Sequence, residues 1–90
     1  MHTHNSEKKK IIRRLKILEG QVRGLQEMIN KDVYCIDVIT QTSAVKQALS
    51  GIEDILMENH LGTCVVDQMR NGKEKKAIEE ILKVYRLKRK

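Results

Sequence analysis

An all-α chain of three helices is predicted by three features of these 90 residues. Proline is absent, apolar residues recur at spacings of three and four over most of the length, and there is no Trp or Phe. With only Tyr34 and Tyr85 as aromatics, the core falls to Leu, Ile, Val, Met and Ala, a set suited to helix-on-helix packing. A chain this short buries a modest share of its apolar surface, so oligomerisation is expected.

The segment Met1–Ser6 is polar and aperiodic and reads as a flexible arm, with Asn5 or Ser6 as helix caps and a single domain over residues 7–90. Ile11, Leu15, Leu18, Val22, Leu25 and Ile29 alternate steps of four and three, the stripe of a first amphipathic helix that runs through Gly20 and Gly24. Asn30, Lys31 and Asp32 form a polar break. A second pattern through Val38, Val45, Leu49, Ile52 and Leu56 towards Val66 and Met69 predicts one long helix over 33–70. Its Gly51 and Gly62 each cost about 1 kcal/mol against Ala. Asn71-Gly72 is a stop and turn signal, and Ala77, Ile78, Ile81, Leu82 and Tyr85 mark one face of a short third helix.

Charge is divided along the chain. Residues 1–31 carry eight basic and three acidic side chains, residues 32–72 two and six, and residues 73–90 eight and three. Basic ends around an acidic middle are either solvated helix faces or the footprint of a polyanionic partner such as DNA. No apolar run approaches the roughly 20 residues that span a bilayer, and Met1–Lys10 lacks the apolar core of a signal peptide, so a cytoplasmic protein is expected. Nothing points to an enzyme. No Ser, His and carboxylate spacing suggests a hydrolase, and Gly20 and Gly24 fall inside a helix instead of following a strand.

Two cysteines in such a chain read as reduced thiols, metal ligands or redox centres before they read as a structural disulfide. His60 and Cys64 are four apart, so on a helix they point the same way, one turn above the other. Cys35 precedes His60 by 25 residues, roughly 37 Å along one helix at 1.5 Å per residue. One chain cannot then close a three-ligand site, but two such helices packed antiparallel from different subunits bring the Cys35 end of one to the His60 end of the other. Two thiolates and an imidazole form a soft, low-coordinate set that favours Cu(I). Structural Zn(II) usually takes four ligands, with His2, His4 or Glu80 as candidates for the fourth.

The segments Leu18-Glu19-Gly20-Gln21-Val22-Arg23-Gly24, Tyr34-Cys35-Ile36-Asp37-Val38 and Gln41-Thr42-Ser43-Ala44-Val45-Lys46, together with His60 and Cys64, closely resemble the copper-sensitive operon repressor (CsoR) family over nearly the whole chain. The resemblance implies a three-helix protomer without a helix-turn-helix, an antiparallel helical dimer and a flat tetramer made of two dimers. It implies a Cu(I) site built from Cys35 of one protomer with His60 and Cys64 of the other, supported from outside by Tyr34 and Glu80. It also implies repression of copper export or storage operons, with Cu(I) lowering the affinity for operator DNA. Arg13, Arg14, Lys16, Arg23 and Lys46 are the candidate phosphate contacts. Ile17, and the pair Ser50 and Gly51, stand where relatives are often basic. Nickel and cobalt sensors of the same superfamily recruit an N-terminal histidine, which makes His2 and His4 the basis of an alternative Ni(II) or Co(II) response. A thiol or persulfide sensor and a copper buffer that binds no DNA are the further alternatives.

Overall fold

The computed structural model describes residues 5–89. It is all-α, with helices α1 (Asn5–Asn30), α2 (Cys35–Gly62), α3 (Cys64–Arg70) and α4 (Glu74–Arg89). The three predicted helical segments are present, the second of them interrupted. The helix expected over 33–70 starts at Cys35 and breaks at Thr63, which separates α2 from α3. At the other end of the chain, α1 begins at Asn5, two residues inside the stretch read as an arm. His2 and His4 lie outside the described residues.

Two compact units emerge, one of α1 and the first part of α2 up to Leu56, the other from Met57 onward. In the first, Ile11 and Leu18 of α1 cluster with Val45 and Ile52 of α2, and Leu25, Ile55 and Leu56 pack against them. Ile11, Leu18 and Leu25 are spaced by seven, so one row of the α1 stripe faces this core. The other row, Leu15, Val22 and Ile29, stays 43%, 44% and 62% exposed. Leu49 is exposed as well. The hairpin thus satisfies half of its apolar pattern.

A left-handed residue closes α1. Asp32 has φ 55°, Val33 N–H donates to Met28 C=O at 3.0 Å and Asp32 N–H to Ile29 C=O at 3.2 Å. These are the two bonds of a Schellman motif, and Asp is among the few non-glycine residues that enter this region readily. Asn71-Gly72 ends α3 in the same way. Gly72 has φ 71°, with Lys73 N–H on Gln68 C=O at 2.7 Å and Gly72 N–H on Met69 C=O at 3.3 Å. This turn folds α4 back along α3, burying Val65 and Ala77. Ile81 is half-buried, while Ile78, Leu82 and Tyr85 of the predicted face remain exposed, as do Val66 and Met69. No helix among the described residues is long and apolar enough to cross a membrane.

Candidate metal centre

His60 sits in the last turn of α2 and Cys64 opens α3, so the break at Thr63 falls between the two predicted ligands. Thr63 explains part of that break. Its hydroxyl donates to Asn59 C=O at 2.8 Å, the carbonyl that also accepts the Thr63 N–H at 3.0 Å, and such back-bonding bends helices. The same hydroxyl lies 3.7 Å from Cys64 Sγ. Both His60 and Cys64 are half-buried, and Cys64 is a free thiol.

On α4, Glu80 presents its carboxylate to this end of the unit. Its Oε2 is 3.5 Å from His60 Nε2. An acceptor there selects, for the neutral ring, the tautomer with its proton on Nε2, which leaves Nδ1 as the lone-pair donor. The other carboxylate oxygen, Oε1, accepts from Gln68 Nε2 at 3.2 Å. Gln68 was not among the residues that sequence reasoning selected. Its position one turn after Cys64, continuing the 60, 64, 68 face, was the available signal.

Cys35 is the first residue of α2, an exposed free thiol, and the exposed Tyr34 precedes it, its carbonyl accepting from Asp37 N–H at 3.0 Å and Val38 N–H at 3.3 Å. These two belong to the first compact unit, and His60, Cys64 and Glu80 to the second. Among the described residues, no group of three His, Cys, Asp or Glu side chains converges on a metal position. The donors present nonetheless fit a soft ion. The described residues offer two free thiols, and an imidazole whose Nε2 faces a carboxylate.

The predicted phosphate contacts all lie in the first unit, and all are exposed. Helical rotation of about 100° per residue puts Arg13, Lys16 and Arg23 on the side of α1 away from Ile11 and Leu18. Arg23 is held by Glu19 at 3.0 Å, a surface pair of small worth. Arg14 points elsewhere. With Ile17, Leu18 and Gln21 of α1 and Gln47, Ala48, Gly51 and Ile52 of α2, it lines an open groove of about 360 Å³. Lys46 is carried by α2.

Comparison with known proteins gives the chain its family. Residues 7–86 match the model of the metal-sensitive transcriptional repressor family. The copper-sensing transcriptional repressor CsoR of Bacillus subtilis (strain 168) is 42% identical over 85 residues, which cover 94% of this chain and 84% of that protein. The copper-sensing transcriptional repressor RicR of Mycobacterium tuberculosis is 44% identical over 71 residues, covering 79% and 74%. Among solved structures, the copper-sensing repressor CsoR with Cu(I) from Geobacillus thermodenitrificans NG80-2 matches with a TM-score of 0.91 at 36% identity, over 100% of this chain and 94% of the other. An all-helical chain matched from Glu7 to Arg86, with a long relative more than 40% identical, belongs to the metal-sensitive transcriptional repressors, a family of regulators and not of enzymes.

Proposed function

We propose that this protein is a cytoplasmic Cu(I)-responsive repressor that holds operator DNA in its metal-free form and lets go when Cu(I) binds. The observation that carries the reading is His60, with Nε2 facing the Glu80 carboxylate and the free thiol of Cys64 four residues on, while a second free thiol, Cys35, opens the same helix at its other end. Three soft donors suit Cu(I) better than a four-ligand structural ion. The named relatives are copper sensors, and one of them was solved with Cu(I).

The ligands are Cys35 of one protomer with His60 and Cys64 of another. Cys35 opens α2 and His60 closes it, so a single helix carries them at opposite ends. An antiparallel partner supplies the missing donor. The exposed row Leu15, Val22 and Ile29 supports an assembly in which a second copy covers α1, a dimer that pairs again into a flat tetramer, with residues 7–90 acting as one domain. Cys35, His60 and Cys64 would hold the ion across that interface, where it would supply a soft, low-coordinate link between subunits. The chain's own residues do the rest. Glu80 fixes the His60 ring, Tyr34 stands beside Cys35, and the basic side of α1 with Lys46 meets the phosphates. A site shared between subunits couples metal occupancy to their arrangement, and through it to the spacing of the basic patches.

Anaerobic titration with Cu(I), Ni(II) and Zn(II), followed by thiolate absorption in the presence of operator DNA, tests this reading. Cu(I) is expected to release the DNA at one ion per protomer. Release by Ni(II) with no response to Cu(I) would overturn it in favour of a sensor of harder ions, and metal binding without any effect on DNA would leave a buffer.

A further inference from the structure

Glu80 is held from two sides. His60 Nε2 lies 3.5 Å from Oε2, and Gln68 Nε2 donates to Oε1 at 3.2 Å. An ionised carboxylate only accepts, so the Gln68 amide must present its NH₂ group and turn its carbonyl away. That carbonyl oxygen, Oε1, is buried and has no hydrogen-bond partner among the described residues. An apolar side chain of the same length would fill this space without stranding a buried acceptor. Packing therefore does not account for Gln68, and its contact with Glu80 does.

The placement follows from the fold. Gln68 stands one helical turn after Cys64, and the Schellman turn at Gly72, in which Lys73 N–H caps the Gln68 carbonyl at 2.7 Å, swings α4 round so that Glu80 returns to the same end. Gln68 is thus on the helix that begins with a ligand, and it reaches the carboxylate that faces the other ligand of this unit. A shift of α3 would reach the Glu80 carboxylate directly through this bond, in addition to the packing of α3 on α4.

We infer that Gln68 is a positioning residue of the sensor: it fixes the Glu80 carboxylate against His60, and so sets the imidazole tautomer and carries motion of α3 into α4. This rests on the reading of His60 and Cys64 as ligands.

The test compares wild type with Gln68→Met, Gln68→Asn, Glu80→Ala and the Gln68→Met/Glu80→Ala double variant, each checked for helicity and melting as the full-length apo protein. Two quantities are read. The first, which needs no metal, is the His60 tautomer from ring nitrogen shifts in apo protein. The second is the factor by which Cu(I) weakens operator binding. Both Gln68 variants are expected to shift the neutral ring away from the Nε2–H form, and to cut the coupling factor by about tenfold, the low end of what one hydrogen bond to a charged group is worth. Gln68→Asn keeps the amide and withdraws it by one methylene, so it separates lost reach from lost polarity and stands in should the Met variant fold poorly. The double variant is expected to match Glu80→Ala alone, since Gln68 acts through Glu80. Wild-type tautomer and wild-type coupling in the two Gln68 variants would overturn the assignment, as would losses that add in the double variant. A wild-type protein that keeps its DNA in Cu(I), yet shows the tautomer shift in Gln68→Met, would instead count against the repressor reading and leave the Gln68–Glu80–His60 linkage in place.

Discussion

The Asn59 carbonyl accepts twice from Thr63, from its N–H at 3.0 Å and from its hydroxyl at 2.8 Å, and there the long second helix breaks. Back-bonding alone does not cause the break. Thr40 and Thr42 donate to Ile36 and Val38 carbonyls at 2.8 and 2.9 Å, and α2 runs straight through both. What differs at Thr63 is the preceding Gly62, which adds the weakest non-proline helix former at the point where a carbonyl is already shared.

Gly62→Ala is therefore expected to stabilise the apo protein. Gly62 has no positive φ, and an added Cβ meets nothing within 4 Å. The gain is about 0.5–1 kcal/mol per protomer, read from melting at fixed protomer concentration. Its thiolate absorption with Cu(I) is expected to match wild type. A lower melting temperature would show that the site is strained in a way this backbone does not reveal, and loss of the absorption would show that the glycine sets the placement of Cys64 against His60.

Cys35→Ala removes a thiolate from an exposed position and no basic group. Apo affinity for operator DNA should stay within about twofold of wild type, since a change of 0.4 kcal/mol or less is usual for a surface substitution. Release by Cu(I) should be lost. In wild type the coupling must run both ways, so operator DNA weakens Cu(I) binding by the factor by which Cu(I) weakens DNA binding, typically about 5–150-fold. Mobility shifts and competition with a Cu(I) chelator measure the two factors independently. Cu(I)-driven release by the Ala variant would remove Cys35 from the ligand set.

Much of this was legible in the chain. The apolar steps of α1 gave a helix through two glycines, and Asn71-Gly72 gave a turn that the structure places at φ 71°, whereas the four-residue step from His60 to Cys64, read as one helix face, falls across the break between α2 and α3. The break at Thr63 was not legible, because Gly20, Gly24 and Gly51 remain helical, as do Thr40 and Thr42, and only the pair in succession matters. Gln68 was not legible either. An exposed-looking glutamine acquires a role only when the turn at Gly72 brings a residue twelve positions later against it, and that is a tertiary event. The periodicity also could not say which row of the α1 stripe would be covered within the chain.

That division makes Leu15 and Leu18 respond differently. Leu18, 5% exposed in the hairpin core, is expected to lose about 2–5 kcal/mol on truncation to Ala, seen as a lower melting temperature at every concentration. Leu15, 43% exposed, is expected to tolerate replacement by Lys in the protomer but to weaken association, so that sedimentation at micromolar concentration shows smaller species while wild type remains a tetramer. A wild-type monomer under these conditions would contradict the shared metal site as well as the seam.

The last prediction concerns the side of α1 opposite its core. Arg13 and Lys16 are exposed there, and Arg23 shares that side but is engaged by Glu19 at 3.0 Å. If this surface meets the DNA backbone, each phosphate contact contributes a released counterion, and the slope of log K against log salt falls in magnitude by about 0.9 for every contact removed. Arg13→Gln and Lys16→Gln should each flatten the slope by that amount for every protomer that touches DNA, and weaken operator and random duplexes alike, because phosphate contacts carry no base information. Glu19→Gln should act in the opposite direction. It removes a negative charge from the surface and frees Arg23, so binding tightens and the slope steepens. The exposed ion pair itself is worth about 1 kcal/mol or less, and losing it should leave the melting temperature nearly unchanged. Filter binding over a salt series with both duplexes measures all three variants. Slopes that stay at the wild-type value in Arg13→Gln and Lys16→Gln would move the DNA interface off this side of α1, with Lys46 of α2 and the basic last turn of α4 next in line.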